Sequence, residues 1–249
     1  MVGTPGKPPM TPLPIRLIAS LRGLAVLLLL GAGLVAACGG GEDADPSTFP
    51  DASTLLDQSA TRMEQVRSMH FLLEHDNGAT QIVRGIAMNR AEGDVVTPDK
   101  MQATVKGGLG IVNFEIGIVI LGKDAWIQNP LNRRWESENI TIDQVFDPRQ
   151  GVIALVRATR GATIDGIDDV GGVKCYRVEA TLDSGNLDLL PGTPTAGKPI
   201  PTTAWIGVDD QLVRKVQFRG GVSTGEPDNL VRTLTLSRFD EDVTIVPPR

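Results

Sequence analysis

The run "GIVNFEIGIVILG", Gly110–Gly122, decides the fold. Its even positions, Val112, Phe114, Ile116, Ile118 and Ile120, form an unbroken apolar face. Its odd positions mix Asn113 and Glu115 with Val119 and Leu121. Alternation of period two predicts a strand, and at about 3.3 Å per residue its dry face runs for roughly 30 Å. Such a face needs a covering layer. It is either core packed on helices or the wall of an apolar cavity between sheet and helices, and the pattern is the same in both cases because both bury the same side chains.

Outward from this strand the chain reads as more strands. "MHFLLEHD" (69–76) and "TQIVRGIAMN" (80–89) flank Asn77-Gly78, which predicts a hairpin. "GDVVTPDKMQATVKG" precedes the long run; "DAWIQNP" and "RRWESE" follow it. Later come "VKCYRVEATL", "TTAWIGV", "LVRKVQF" and "LVRTLTLSRF", joined by loops or tight turns such as "DDQ". Aromatics are only 4% and glycines number 28, in keeping with a sheet-rich chain. Sequential strands on short connections pair antiparallel. Two helices punctuate them. Asp51 or Ser53 caps one that reaches about Val66, with Leu55, Leu56, Ser59, Met63 and Val66 on one side. Asp147-Pro148 starts the other, in which Val152, Leu155, Val156 and Thr159 share a face. Each has one apolar face, so both should lie on the sheet in an α+β arrangement.

The N-terminal part is of another kind. Lys7, Arg16 and Arg22 precede "LAVLLLLGAGLVAA", Leu24–Ala37, with no acid among them. The apolar run has 14 residues, fewer than the ~20 a spanning helix needs, so it reads as the core of a secretory signal. It ends in "VAAC", Val35–Cys38, which resembles the bacterial lipobox. That resemblance implies cleavage before Cys38 and thioether attachment of a diacylglyceryl group to it, and two acyl chains suffice for a stable anchor. "GGGEDADPSTFP" then reads as a flexible acidic tether. The expected organisation is a signal peptide at 1–37, an acylated tether at 38–50 and a single domain at 51–249. Removing residues 1–37 takes away three positive charges and moves the net charge from −6 to −9, a poor balance for binding nucleic acid. Cys175 is left with no partner for an intramolecular disulfide and is expected to be a buried structural thiol.

Chemistry has few places to sit. His70 and His75 fall on opposite faces of a strand and do not jointly hold a metal. No G-x-S-x-G elbow is present, and "KGGLG" opens no helix that would cradle phosphate. The acids of "IDDVGG" and "VDDQ" read as solvated loop residues. "LPGTPTAGKPIP", Leu190–Pro201, is too proline-rich to pair in a sheet. Leu189, Leu190 and Ile200 are odd for a loop that meets only water, so they are expected to shield the mouth of a sheet–helix cleft.

"SATRMEQVRSMHFLLEHDNG", "GDVVTPDKMQATV", "GKDAWIQNPLNRRWE", "GVIALVRATRGATIDGIDDVGGVKCYRVEATL" and "TTAWIGVDDQLVRKVQF", in this order and spacing, resemble the LppX/LprAFG lipoprotein family over about Asp51 to Phe239. The resemblance implies an antiparallel half-barrel sheet wrapped around helices, akin to LolA/LolB-type carriers, with an apolar cavity for multi-acyl lipids between the layers. It implies a non-enzymatic carrier of acylated lipids or lipoglycans on the extracytoplasmic side of the cell membrane, with no catalytic residue, metal or cofactor, and an envelope transporter as a partner class. Val112, Phe114, Ile116, Ile118, Ile120, Val152, Leu155 and Val156 are the expected lining residues. A carrier is physically needed, since exposing a 16-carbon chain to water costs on the order of 12 kcal/mol. The alternative is an anchored sensor or binding module for a protein or another apolar ligand.

Overall fold

A computed structural model describes residues 48–81, 87–142, 148–186, 197–223 and 225–249. The signal segment, Cys38, Asp147, Leu189 and Leu190 lie outside the described residues. The strands are β1 (Ser68–Asp76), β2 (Thr80–Gln81), β3 (Ala87–Val96), β4 (Lys100–Leu109), β5 (Val112–Leu121), β6 (Asp124–Gln128), β7 (Trp135–Glu138), β8 (Arg160–Val170), β9 (Val173–Asp183), β10 (Pro199–Gly207), β11 (Val213–Arg219) and β12 (Val231–Ser237). They form one 12-stranded open sheet in the order β7-β6-β5-β4-β3-β1-β12-β11-β10-β9-β8, with β2 beside β3. Every pairing is antiparallel. The expected α+β class is what the chain adopts.

Register explains the core. Ile116, Val105, Ala91, Leu73, Leu234, Val216, Ala204, Val178 and Ile164 stand side by side from β5 to β8, one residue per strand. Because side chains alternate faces along a strand, this row fixes one apolar inner face for the whole sheet. Two helices close it. Helix α1 (Ala52–Glu64) begins where Asp51 Oδ1 accepts the Thr54 backbone N–H at 2.8 Å. Its buried stripe is Leu55, Leu56, Ser59, Ala60 and Met63, three or four residues apart as a single helix face requires. Helix α2 (Pro148–Ala158) buries Val152, Ile153, Leu155 and Val156. The helices pack on each other. They are also pinned by polar bonds: Arg157 pairs with Glu64, and Arg149 Nη1 donates to the Glu64 carbonyl at 3.0 Å.

Three local expectations give way. The Asn77-Gly78 turn does not join a hairpin, because both edges of β1 are taken, by β3 and β12, and β2 turns onto β3 instead. The turn docks on the β11–β12 connection, where Asn77 Nδ2 donates to the Asn229 carbonyl at 3.2 Å. Strand β10 begins at Pro199 rather than Thr202, with Ile200 beside Leu182. Its other neighbour, β11, joins only from Thr202, so the two prolines sit where one edge is open and no ladder donor is missed. Asp168 is not a solvated loop acid. The β8–β9 hairpin extends to Val170 and Val173, which places Asp168 on a strand where it accepts from Trp205 Nε1 at 2.8 Å and from Arg177.

Candidate functional site

The space between the layers is small and lies on one side of the sheet. Leu56 of α1, Leu155 and Val156 of α2 and Thr159 meet Val178 and Ala180 of β9, Thr202 and Ala204 of β10 and Val216 of β11. They surround a cavity of about 10 Å³, close to the room of a single water molecule. Among the described residues no charged side chain borders it. Its two hydroxyls are already engaged with backbone carbonyls: Thr159 Oγ1 donates to Leu155 O at 2.8 Å and Thr202 Oγ1 to Ile200 O at 3.1 Å. What remains facing the gap is methyl and methylene surface. The gap exists because β9 and β10 present alanine and threonine there while the helices offer leucine and valine; small opposed to medium leaves room.

Of the eight expected lining residues, Leu155 and Val156 border this cavity. Val152 is fully buried in the core beside them. Ile116, Ile118 and Ile120 are buried in core, against Val105, Ala103 and Met101 of β4 in register, and Phe114 packs on the same core. Val112 is 54% exposed at the start of β5. The long strand therefore takes part in the core rather than in this gap, with Ile116, Ile118 and Ile120 set beside Val105, Ala103 and Met101. Ile200 is fully buried within β10, in a strand and not in a loop. Leu56, Val178, Ala180, Thr202, Ala204 and Val216 border the gap without having been singled out. Alternation along "TTAWIGV" and "VKCYRVEAT" marks them as inward residues, but nothing in either stretch shows that the partner across the gap is too small to meet them.

One end of the inner face is sealed by charge. Arg232, on the same side of β12 as Leu234 and Leu236, is fully buried. It pairs with Glu226, and its Nε donates to Thr80 Oγ1 at 3.0 Å. Burial raises the Glu226 carboxyl, but Arg232 and the Ser223 and Val222 backbone N–H groups outweigh it and hold the pKa below the ordinary value. His75 Nε2 lies 2.7 Å from Thr80 Oγ1. Burial, and then the nearby Arg232 charge, push its pKa down to about 4, so the ring is neutral at physiological pH. His70, on the opposite face, lies 2.8 Å from Asp94 Oδ1. Cys175 is fully buried, and burial pushes its pKa up to about 11, which makes it the inert structural thiol expected. No cluster of three metal-ligating side chains occurs among the described residues, and none of their helices is long and apolar enough to cross a membrane.

The model of the LppX_LprAFG lipoprotein family matches residues 51–245. The chain belongs to the LppX/LprAFG lipoprotein family. A named relative is the lipoarabinomannan carrier protein LprG of Mycolicibacterium smegmatis, 24% identical over 92% of this chain and 96% of that protein. Among solved structures, LprF from Mycobacterium bovis superimposes with a TM-score of 0.63 at 19% identity, over 80% of this chain and 98% of that one. The lipoprotein LppX of Mycobacterium tuberculosis gives 0.58 at 18% identity, over 82% of this chain and 100% of that one. At these identities the two structures establish the shared fold: an open antiparallel sheet with helices across one face.

Proposed function

We propose that this LppX/LprAFG member is an anchored bacterial lipoprotein that takes up acylated lipid or lipoglycan between α1–α2 and strands β9–β11 and carries it across the cell envelope without catalysis. The observation that carries the reading is a gap that, among the described residues, is bordered only by apolar groups and backbone-bonded hydroxyls, where the helix pair meets β9–β11. The carrier name of the relative LprG supports the ligand class. Pockets for small ligands occupy about 300–1,000 Å³, far above the space present, so loading requires the helix pair to lift from the sheet. The Arg157–Glu64 and Arg149–Glu64 bonds favour movement of α1 and α2 as one body. Acylation of Cys38 after removal of residues 1–37, with residues 38–50 as tether, keeps the domain on the extracytoplasmic face of the cell membrane. An envelope transporter then delivers or removes the lipid.

The test is native mass spectrometry of the compact unit that begins at Glu42, purified from a bacterium that makes acylated lipoglycans. Co-purified lipid, lost when Ala204 is replaced by Leu, is the expected result. A clean apo mass in that host contradicts the reading. For the anchor, Cys38→Ala is expected to leave unprocessed precursor or a released chain; unaltered processing and membrane partition of the variant contradict it.

A further inference from the structure

Among the described residues, the two most exposed large apolar side chains stand at hairpin tips. Ile111 is 100% exposed and Leu131 88%, with Leu109 and Val112 at 54% each. Ile111 tops the β4–β5 hairpin, and Leu131 tops the β6–β7 hairpin. Antiparallel order points both tips toward the same end of the sheet, and Arg133 Nη1, donating to the Glu115 carbonyl at 2.5 Å, ties the β6–β7 tip to β5. Ile111 at 100% exposure at one hairpin apex and Leu131 at 88% at another are not packing residues of this domain.

From this we infer that the paired tips are a membrane-contact device that dips into the surface of an anionic bilayer. Backbone donors of the β6–β7 tip are bonded internally. Asn129 N–H donates to the Arg134 carbonyl at 2.8 Å, Arg133 N–H to the Asn129 carbonyl at 2.9 Å, and Leu131 N–H to Asn129 Oδ1 at 2.9 Å. The apex can leave water without stranding these donors, which a bilayer interface demands. The charges around it match an anionic surface although the chain is acidic. Arg133 and Arg134 are exposed two and three residues after Leu131, and of the neighbouring acids Glu115 pairs with Lys106 at 3.2 Å and Glu136 accepts from Asn129 Nδ2 at 2.7 Å. Apolar apices backed by arginine combine the two attractions that hold peripheral proteins on such membranes. A protein partner would need no such match between apolar apex, satisfied backbone and flanking cations. The inference stands apart from the lipid-carrier reading, since it concerns the outer end of β4–β7 and not the gap under the helices.

The test uses the full chain carrying Cys38→Ser, bound to phosphatidylcholine–phosphatidylglycerol vesicles, with an environment-sensitive fluorophore on Ile111→Cys, Leu131→Cys or, at the opposite end of the sheet, Lys174→Cys. Cys175 is buried and stays unlabelled. Probes at 111 and 131 are expected to shift to the blue and to be quenched by brominated acyl chains, with the probe at 174 unchanged. Replacing phosphatidylglycerol by phosphatidylcholine should weaken the quenching at 111. Water-like emission at both tips, equal quenching at 174, or indifference to the anionic lipid each overturn the proposal.

Discussion

The inner face of the sheet is one surface with two textures. On β4 and β5 it is built from Met101, Ala103, Val105, Ile116, Ile118 and Ile120, all buried and paired across the strands. On β9 to β11 it is built from Val178, Ala180, Thr202, Ala204 and Val216, and there a gap remains under the helices. Both halves obey the same alternation and belong to one apolar row. Fit across the layers separates them: the β4–β5 side chains are taken up in the core, whereas Ala180, Thr202 and Ala204 leave room beneath the helices. A long apolar strand is thus a poor sign of a binding cavity, and an inward run of small residues is a better one.

The comparison can be broken most forcefully at its filled half. Ile120→Ala removes three carbons from a fully buried site and is expected to cost about 2–5 kcal/mol in urea unfolding. A loss well below that range would mean that the β5 side is loosely packed and that the two halves do not differ. A matched insertion sharpens the contrast. Ala103→Leu and Ala204→Leu add the same volume to residues that are equally buried, 6% and 7% exposed. Behind Ala103 the chain is tight: a Cβ on Gly93 would stand 2.9 Å from the Ala103 Cβ. Leucine at 103 should therefore cost about 1–3 kcal/mol, and leucine at 204 less than about 1, because part of it enters the gap. Equal costs would refute the distinction.

The charged seal at His75, Thr80, Arg232 and Glu226 gives a smaller, pH-dependent effect. The folded His75 titrates at about 4 against 6.5 for the ordinary group, so the unfolded chain gains its proton first as pH falls. Stability contributed by the neutral ring is complete above pH 6.5 and declines toward pH 4. Unfolding free energy should fall by about 2 kcal/mol between pH 7 and pH 5, and His75→Gln should flatten that step. A step of the same size in the variant would assign the dependence to other groups.

Much of the fold is legible in the residues. Alternation in Gly110–Gly122, the Asp51 cap and the short turns lead to an antiparallel sheet with two helices, because each is a local rule that tertiary packing leaves in force. Asn77-Gly78 shows where local rules stop: its turn chemistry is sound, yet β1 has two better partners, β3 and β12, far along the chain. The site is less legible. Leu155 and Val156 were accessible from helix periodicity, but whether an inward residue meets a neighbour or a gap depends on the side chain opposite it, which only three dimensions supply. Arg232 is a sharper example, since its alternation with Leu234 and Leu236 points it inward and its partner Glu226 sits in a loop with no periodicity at all.

The central claim is that the small-residue half of the inner face, under α1 and α2, is where an acyl chain goes. Photo-crosslinking with a diazirine-bearing diacyl lipid, followed by peptide mapping, reads this directly. The account predicts adducts on the peptides that hold Leu56, Leu155–Val156, Val178–Ala180 and Thr202–Ala204, and their disappearance in Ala204→Leu. Adducts concentrated on Val112–Leu121 and Met101–Val105, unaffected by that substitution, would contradict it.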